Sequence, residues 1–358
     1  MHLNHNTILR AFPVQCVETP EGIIIKRGCT QIKVSGHAAA EVTRMVLTST
    51  AEDGATFDEL ATLFPSTFRP HLEHLIDRLI SCRFLIPVNG PLAPEQPQES
   101  CLDVFYWHFG KSTGTVAEKL NRLRIVILGV NCISHHFIRS LNASMVHHFT
   151  VVDVPALRNQ RLFGETGLLA THEWSEQSAV PITYDTWKHS IGSTKFDCLV
   201  ATSDFGGSEE MRQWNRLCIE RNQPFLPVVL KDLVGYIGPL VIPGETACYE
   251  CLTTRLNSNQ DGCSSEGMIP EEQSVLGFHP SMASMLGDLA AFEIMKVFGE
   301  ALPNRKVGTL IEVKLLVPEL KTRKILKIPR CSACSPLHSR ASSACTKDPF
   351  TPISQLNR

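Results

Sequence analysis

The sequence predicts an α/β protein in which a small winged-helix-like module precedes a larger Rossmann-like α/β domain. Three observations lead there. Arg124-Ile125-Val126-Ile127-Leu128-Gly129, a helical stretch and Phe149-Thr150-Val151-Val152-Asp153 read as strand, glycine turn, helix and strand ending in an acid. That is the order of a dinucleotide-type βαβ unit. Residues 20–90 carry short strands, three helical stretches and a closing strand. Cys248 and Cys251, then Cys331 and Cys334, repeat one Cys-x-x-Cys spacing. One such pair alone is a redox site or an accident. Two pairs suit a tetrahedral four-thiolate zinc site, each thiolate reaching one ion about 2.3 Å away. The zinc would clip the chain end to the middle of the domain; the alternative is four unrelated buried thiols.

With 358 residues the chain is long enough for two domains and a full core. Hydrophobic residues at 43% and charged ones at 20% are those of a soluble globular protein. A formal charge of −2 gives no general reason to expect nucleic acid as a partner. Thirteen cysteines in a chain this long are not a small secreted disulfide scaffold. The start, MHLNHNTILR, lacks a signal pattern, and no apolar run reaches about 18 residues. The expectation is a reducing cytoplasm and no membrane.

Taken in order, Ile23-Ile24-Ile25-Lys26 and Gln31-Ile32-Lys33-Val34 are β-rich runs parted by the turn signal Arg27-Gly28. Val42, Met45 and Val46 are spaced as on a helix. Thr56 is an N-cap candidate with Glu59 at the capping-box position, ahead of Leu60, Leu63 and Phe64. Leu72, Leu75, Ile76, Leu79 and Ile80 mark an amphipathic helix, and Phe84-Leu85-Ile86 a strand. Such a module over residues 1–90 could bind DNA, but its third helix mixes carboxylates with few cations, a poor footprint for phosphates. The alternatives are capture of a peptide as an added strand beside a helix, or a structural appendage. Residues 91–100 are proline-rich and polar, so the linker falls there.

Residues 102–120 read as one helix feeding the second domain, assigned to 101–335. After the strand at 124–128 the loop is Gly129-Val130-Asn131-Cys132-Ile133-Ser134, not G-x-G-x-x-G. Asn131 tolerates positive φ and Ser134 is small, so the turn can survive. Gly129, Asn131 and Ser134 are then the candidate phosphate loop at a helix N-terminus, and Asp153 the candidate ribose ligand. The alternative is a βαβ unit kept as scaffold. Residues 196–204 form a further buried strand ending in Asp204, at the edge where ligands sit in open α/β sheets. Asp204 either holds Mg²⁺ against phosphates or caps the next helix. Pro224 to Leu230 is another strand, and Leu240-Val241-Ile242 a short buried one before Pro243-Gly244. Cys263 lies in a long polar crossover loop, 257–277. Residues 281–298 form an apolar helix, for core or dimer contact. Residues 307–317 and 320–328 form a closing hairpin, and 336–358 a loose tail.

Asn222-Gln223-Pro224, Gly238-Pro239-Leu240, Pro243-Gly244, Cys248-Tyr249-Glu250-Cys251 and the final cysteine pair together resemble the ubiquitin-activating-enzyme-like family. The ThiF/MoeB type of adenylating fold is the nearest pattern, in the branch that matures ribosomally made peptides. The likeness spans residues 20–335. It implies ribose binding at Asp153, metal binding at Asp204, and an arginine on phosphate. Asn159 falls where that arginine is usual, so Arg158 or Arg161 would substitute, unless both sit in a solvated turn. The family's lysine has no counterpart in 164–172. The resemblance also implies a homodimer, and a first module that recognises a leader peptide. A loop cysteine accepts acyl groups in some relatives; Cys263 is either that or an inert thiol.

Two functions follow from this reading. One is an ATP- and Mg²⁺-dependent enzyme that binds the leader of a ribosomal precursor peptide and activates a core carboxylate by phosphorylation or adenylation, with Asp204, Arg158 and Arg161 as its catalytic residues. The other is a catalytically silent subunit that docks the leader for a second, ATP-using modifying enzyme.

Overall fold

The computed structural model describes residues 5–88, 100–164, 169, 174, 180–190, 195–231, 233–258, 277–300, 302, 307–317 and 319–335. The expected linker apart from Ser100, most of the expected crossover loop with Cys263, and the tail lie outside the described residues. The chain divides into two compact units, Met1–Glu118 with Ala301–Pro303, and Lys119–Glu300 with Asn304–Arg358.

In the first unit the chain runs β1 (Leu9–Ala11), β2 (Gln15–Thr19), β3 (Gly22–Arg27), β4 (Thr30–Ser35), α1 (Ala39–Ser49), α2 (Phe57–Thr62), α3 (Arg69–Ser81), β5 (Leu85–Pro87) and α4 (Cys101–His108). β2, β3 and β4 form an antiparallel sheet, and β1 pairs antiparallel with β5. The expected capping box forms: the Glu59 amide donates to Thr56 Oγ1 at 3.2 Å and the Thr56 amide to Glu59 Oε2 at 2.8 Å. Ile25, Val46, Phe57, Leu72, Ile76, Leu79 and Phe84 share one core. Those positions recur at the spacings that put them on one face of each element. Trp107 of α4 packs into the same core and its Nε1–H donates to the Arg83 carbonyl at 2.9 Å. The single helix expected over 102–120 is therefore two. Gly110, with φ of +73°, turns the chain between α4 and α5 (Thr113–Arg122).

The second unit continues as β6 (Arg124–Leu128), α6 (Cys132–Ala143), β7 (His148–Asp153), β8 (Ile182–Thr183), α7 (Tyr184–Ser190), β9 (Cys198–Ser203), α8 (Ser208–Glu220), β10 (Phe225–Lys231), β11 (Val234–Ile237), α9 (Tyr249–Asn257), α10 (Pro280–Phe298), β12 (Thr309–Lys314) and β13 (Glu319–Lys324). One sheet holds its strands in the order β13-β12-β11-β10-β9-β6-β7-β8. β8, β7, β6, β9 and β10 are parallel; β11, β12 and β13 extend the sheet antiparallel. Every residue of β9 is buried, as a central strand covered on both faces requires. The short strand expected at 240–242 is one bridge only, between Val241 and Phe225. Thr246 intervenes: its Oγ1 accepts the Ile242 amide at 2.7 Å and turns the chain toward α9.

Helix α10 lies against α6. A side chain at Gly287 would meet the Phe137 amide nitrogen at 2.7 Å and the Ile133 carbonyl at 2.8 Å. Both obstacles are backbone. Gly287→Ala is expected to cost about 1–3 kcal/mol by overpacking, read as a lower denaturant midpoint at unchanged m-value. No described helix is long and apolar enough to cross a membrane.

Candidate functional site

The parallel strands place a topological switch point between β6 and β9. From β6 the chain fills β7 and β8 on one side, then β9 and β10 on the other. Ligands of open α/β sheets bind at the carboxyl ends of strands at such a point. The turn after β6 survives without three glycines. Gly129 takes φ of +100°, and an added Cβ would lie 2.6 Å from the Thr202 carbonyl. Asn131 does not use the positive φ it could tolerate; its φ is −152°, extended backbone. It caps α6 instead. Its Oδ1 accepts the Ser134 amide at 3.1 Å, and the Ser134 hydroxyl accepts the Asn131 amide at 3.0 Å. Asn131 Nδ2 donates to the Thr202 carbonyl at 2.9 Å and the Leu157 carbonyl at 3.1 Å. Asn131 and Ser134 are fully buried. Their side chains staple β6, β9 and the segment after β7 together.

Asp204 follows β9 directly and is 2% exposed. Its Oδ2 accepts the Cys132 amide at 3.0 Å and the Asn159 side-chain amide at 2.8 Å. Its Oδ1 is buried with no hydrogen-bond partner among the described residues. Burial raises the carboxyl above its ordinary range, against the hydrogen bonds from Asn159 and Cys132 that lower it. A buried carboxylate oxygen without a donor is the feature a bound cation would satisfy. The residues present therefore fit a divalent ion. The capping role weighed for Asp204 is filled elsewhere: it accepts at the start of α6, while α8 begins at the left-handed Gly207 with no side-chain cap.

Asp153 and Arg158, assigned separate roles above, are bound to each other. Arg158 Nε donates to Asp153 Oδ1 at 3.0 Å, and a terminal guanidinium nitrogen pairs with Oδ2. The guanidinium also sits over the Phe163 ring, 4.2 Å from its centroid. Arg161 is exposed, and its amide donates to Asn159 Oδ1 at 3.0 Å. The sequence reading gave Asn159 no role beyond standing where an arginine is usual. Buried between the 3₁₀ turns Pro155–Leu157 and Gln160–Leu162, it joins that segment to Asp204.

The four cysteines converge. Cys248 Sγ lies 3.7 Å from Cys251 and 3.6 Å from Cys331, and Cys251 3.6 Å from Cys334. All four sulfurs fall within 4.8 Å of one another. A tetrahedron with metal–sulfur bonds of about 2.3 Å has edges of about 3.8 Å. The cluster therefore has the size of such a site. Cys251 sits in the first turn of α9 and its thiol is held below the ordinary thiol range, chiefly by the hydrogen bond from the Cys248 thiol. That same hydrogen bond, with burial, pushes Cys248 up. Because Cys248 faces the cluster, α9 is capped from outside: Asn215 of α8 accepts the Tyr249 amide at 2.9 Å. Arg212, also of α8, donates to Glu250 at 3.0 Å.

No protein-family model matches the sequence, and no curated protein matches it. Solved structures do. Escherichia coli MccB with MccA-N7isoASN is similar over 91% of this chain and 99% of its own, at 18% identity and a TM-score of 0.64. The chain has the MccB fold. The microcin C7 biosynthetic enzyme MccB with N-formylated MccA matches at 18% identity and 0.65, over 91% of this chain and 99% of its own. MccB has also been solved with ATP, and that structure matches at 0.63, with 18% identity and the same coverage. A heterocyclase in complex with substrate and cofactor matches 92% of this chain with 40% of its own, at 16% identity and 0.56.

Proposed function

We propose that this chain is an ATP-dependent enzyme of peptide maturation. It binds the leader of a ribosomally made precursor and activates a carboxylate of the core peptide as a phosphate or adenylate. The observation that carries this is Asp204: a buried carboxylate with one unpaired oxygen at the switch point, in a chain with the fold of MccB, itself solved with ATP and with MccA.

Asp204 would hold Mg²⁺ against the nucleotide phosphates, and the ion would offset charge on the transferring group. On nucleotide entry Asp153 and Arg158 would exchange each other for ribose hydroxyls and phosphate, with Arg161 as a second phosphate contact. The four cysteines would hold a structural zinc, their thiols kept reduced in a cytoplasmic setting. In the first unit, read as a winged-helix-like module, the outer edge of β2 has no strand partner among the described residues. Glu18 of β2, His37 before α1, and Arg44, Met45 and Thr48 of α1 line a groove that reaches β2. A leader taken up there as an added strand would gain backbone hydrogen bonds from β2 and side-chain contacts from α1. The exposed Met285 and Phe292 of α10 suit the homodimer contact expected of that helix.

The second reading is a silent docking subunit. It is favoured by the side chains of Asn131 and Ser134, which are committed to capping, and by Arg158, which already neutralises Asp153. One experiment separates the two. Purified protein with its precursor peptide, ATP and Mg²⁺ is expected to release ADP or AMP and change the peptide's mass. Leader binding without nucleotide turnover would leave only the docking role.

A further inference from the structure

The turn between β3 and β4 is pressed onto α4. Gly28, with φ of +56°, has little room for a side chain: an added Cβ would lie 3.0 Å from Val104 Cγ1. Val104 and His108 are one turn apart on α4 and so share a face. Cys29, the next residue of the turn, meets His108. Its Sγ lies 3.4 Å from each ring nitrogen, Nδ1 and Nε2. Thr30 Oγ1 lies 3.1 Å from Nδ1. Arg83 Nη1 donates to the His108 carbonyl at 2.9 Å and fixes the end of α4. Cys29 is exposed and His108 half-buried. All these residues belong to the first compact unit. A surface cysteine alone is no site. Here an imidazole lies against the sulfur and is itself tied by a hydroxyl, the order of nucleophile, base and orienting group.

We infer that Cys29 is a modification site for low-molecular-weight disulfides of the glutathione class, with His108 as its base and Thr30 as a positioning residue. The Thr30 hydroxyl accepts the Nδ1 proton, so Nε2 keeps its lone pair for the thiol. His108 takes the thiol proton, and the thiolate so formed is the nucleophile. It attacks one sulfur of the disulfide. A new S–S bond joins Cys29 to that half as the old S–S bond breaks, and the departing thiolate takes the proton from His108. Cys29 is oxidised to a mixed disulfide, and the other half of the small disulfide leaves reduced, as a thiol. The inference stands apart from the Asp204 site and does not depend on the proposed function.

The test uses the full chain, its four-cysteine cluster loaded with zinc, and oxidised glutathione as the probe at neutral pH. Mass mapping of the digested protein reads the rate of mixed-disulfide formation at each cysteine. Cys101, at the start of α4, is also a free, exposed thiol and serves as the internal control. Cys29 is expected to react about tenfold or more faster than Cys101. His108→Ala should slow Cys29 to about the Cys101 rate, and free imidazole in solution should restore part of the loss. A purely packing role for His108 predicts the opposite sign, because removing the ring uncovers the thiol. Thr30→Val should slow Cys29 while leaving the Cys101 rate unchanged. The comparison of Cys29 with Cys101 within the wild-type chain holds whatever the variants do to folding. A wild-type Cys29 rate no higher than that of Cys101, or a Cys29 rate in His108→Ala equal to or above wild type, would overturn the inference.

Discussion

Replacing Cys251 with serine is expected to strip the metal from the four-cysteine cluster and destabilise the second unit by about 4 kcal/mol or more. The figure is the mass-action stabilisation by a ligand present at about a thousand times its dissociation constant, and structural zinc binds at least that tightly. Cys251 is the sensitive member. It is fully buried, lies against Cys248 and Cys334, and its sulfur accepts the Ile328 amide at 3.4 Å. A serine oxygen is shorter and a poorer zinc ligand. Metal analysis should fall from one zinc per chain toward none, with a matching drop in Tm. Leader affinity, measured on the same variant below its Tm, should be kept, because the β2 edge and α1 belong to the other compact unit.

Asp204→Asn is expected to separate activity from stability. Nucleotide turnover should fall by several kcal/mol of barrier, on the order of a thousandfold, through loss of the ion that offsets phosphate charge. The ligand-free protein should become more stable. Burial raises the Asp204 carboxyl in the folded state. A folded value above the unfolded one favours folding at pH below the unfolded value. That contribution is lost as pH rises through the folded value. At neutral pH the ionised group therefore opposes folding. The neutral amide removes this term, by about 1 kcal/mol for a poorly satisfied buried charge, or roughly 2–4 °C in Tm. The gain should shrink toward acid pH, where the wild-type carboxyl is itself protonated. A Tm for Asp204→Asn below wild type at pH 7, without ligands, would contradict this account.

Much of this architecture is legible in the sequence because single-element patterns carry it. Continuous apolar runs mark β6, β9 and β10; Thr56 with Glu59 marks the start of α2; two equal cysteine spacings mark the cluster. Elements lacking a one-dimensional signal are not legible. β2 reads Gln15-Cys16-Val17-Glu18-Thr19, too polar to announce a strand, and is held by pairing with β3. The same limit applies at the site. Gly129 and Asp204 stand out by residue type. Asn159 and Cys132 matter only because the fold brings them to Asp204 from a different turn and a different helix. The pairing of Asp153 with Arg158 equally depends on the turn after β7, which no periodicity encodes.

The glycine at 287 bears on how the two helices can move. A Cβ there would run into the Phe137 amide and the Ile133 carbonyl, so α10 sits too close to the α6 main chain to slide along it without first lifting away.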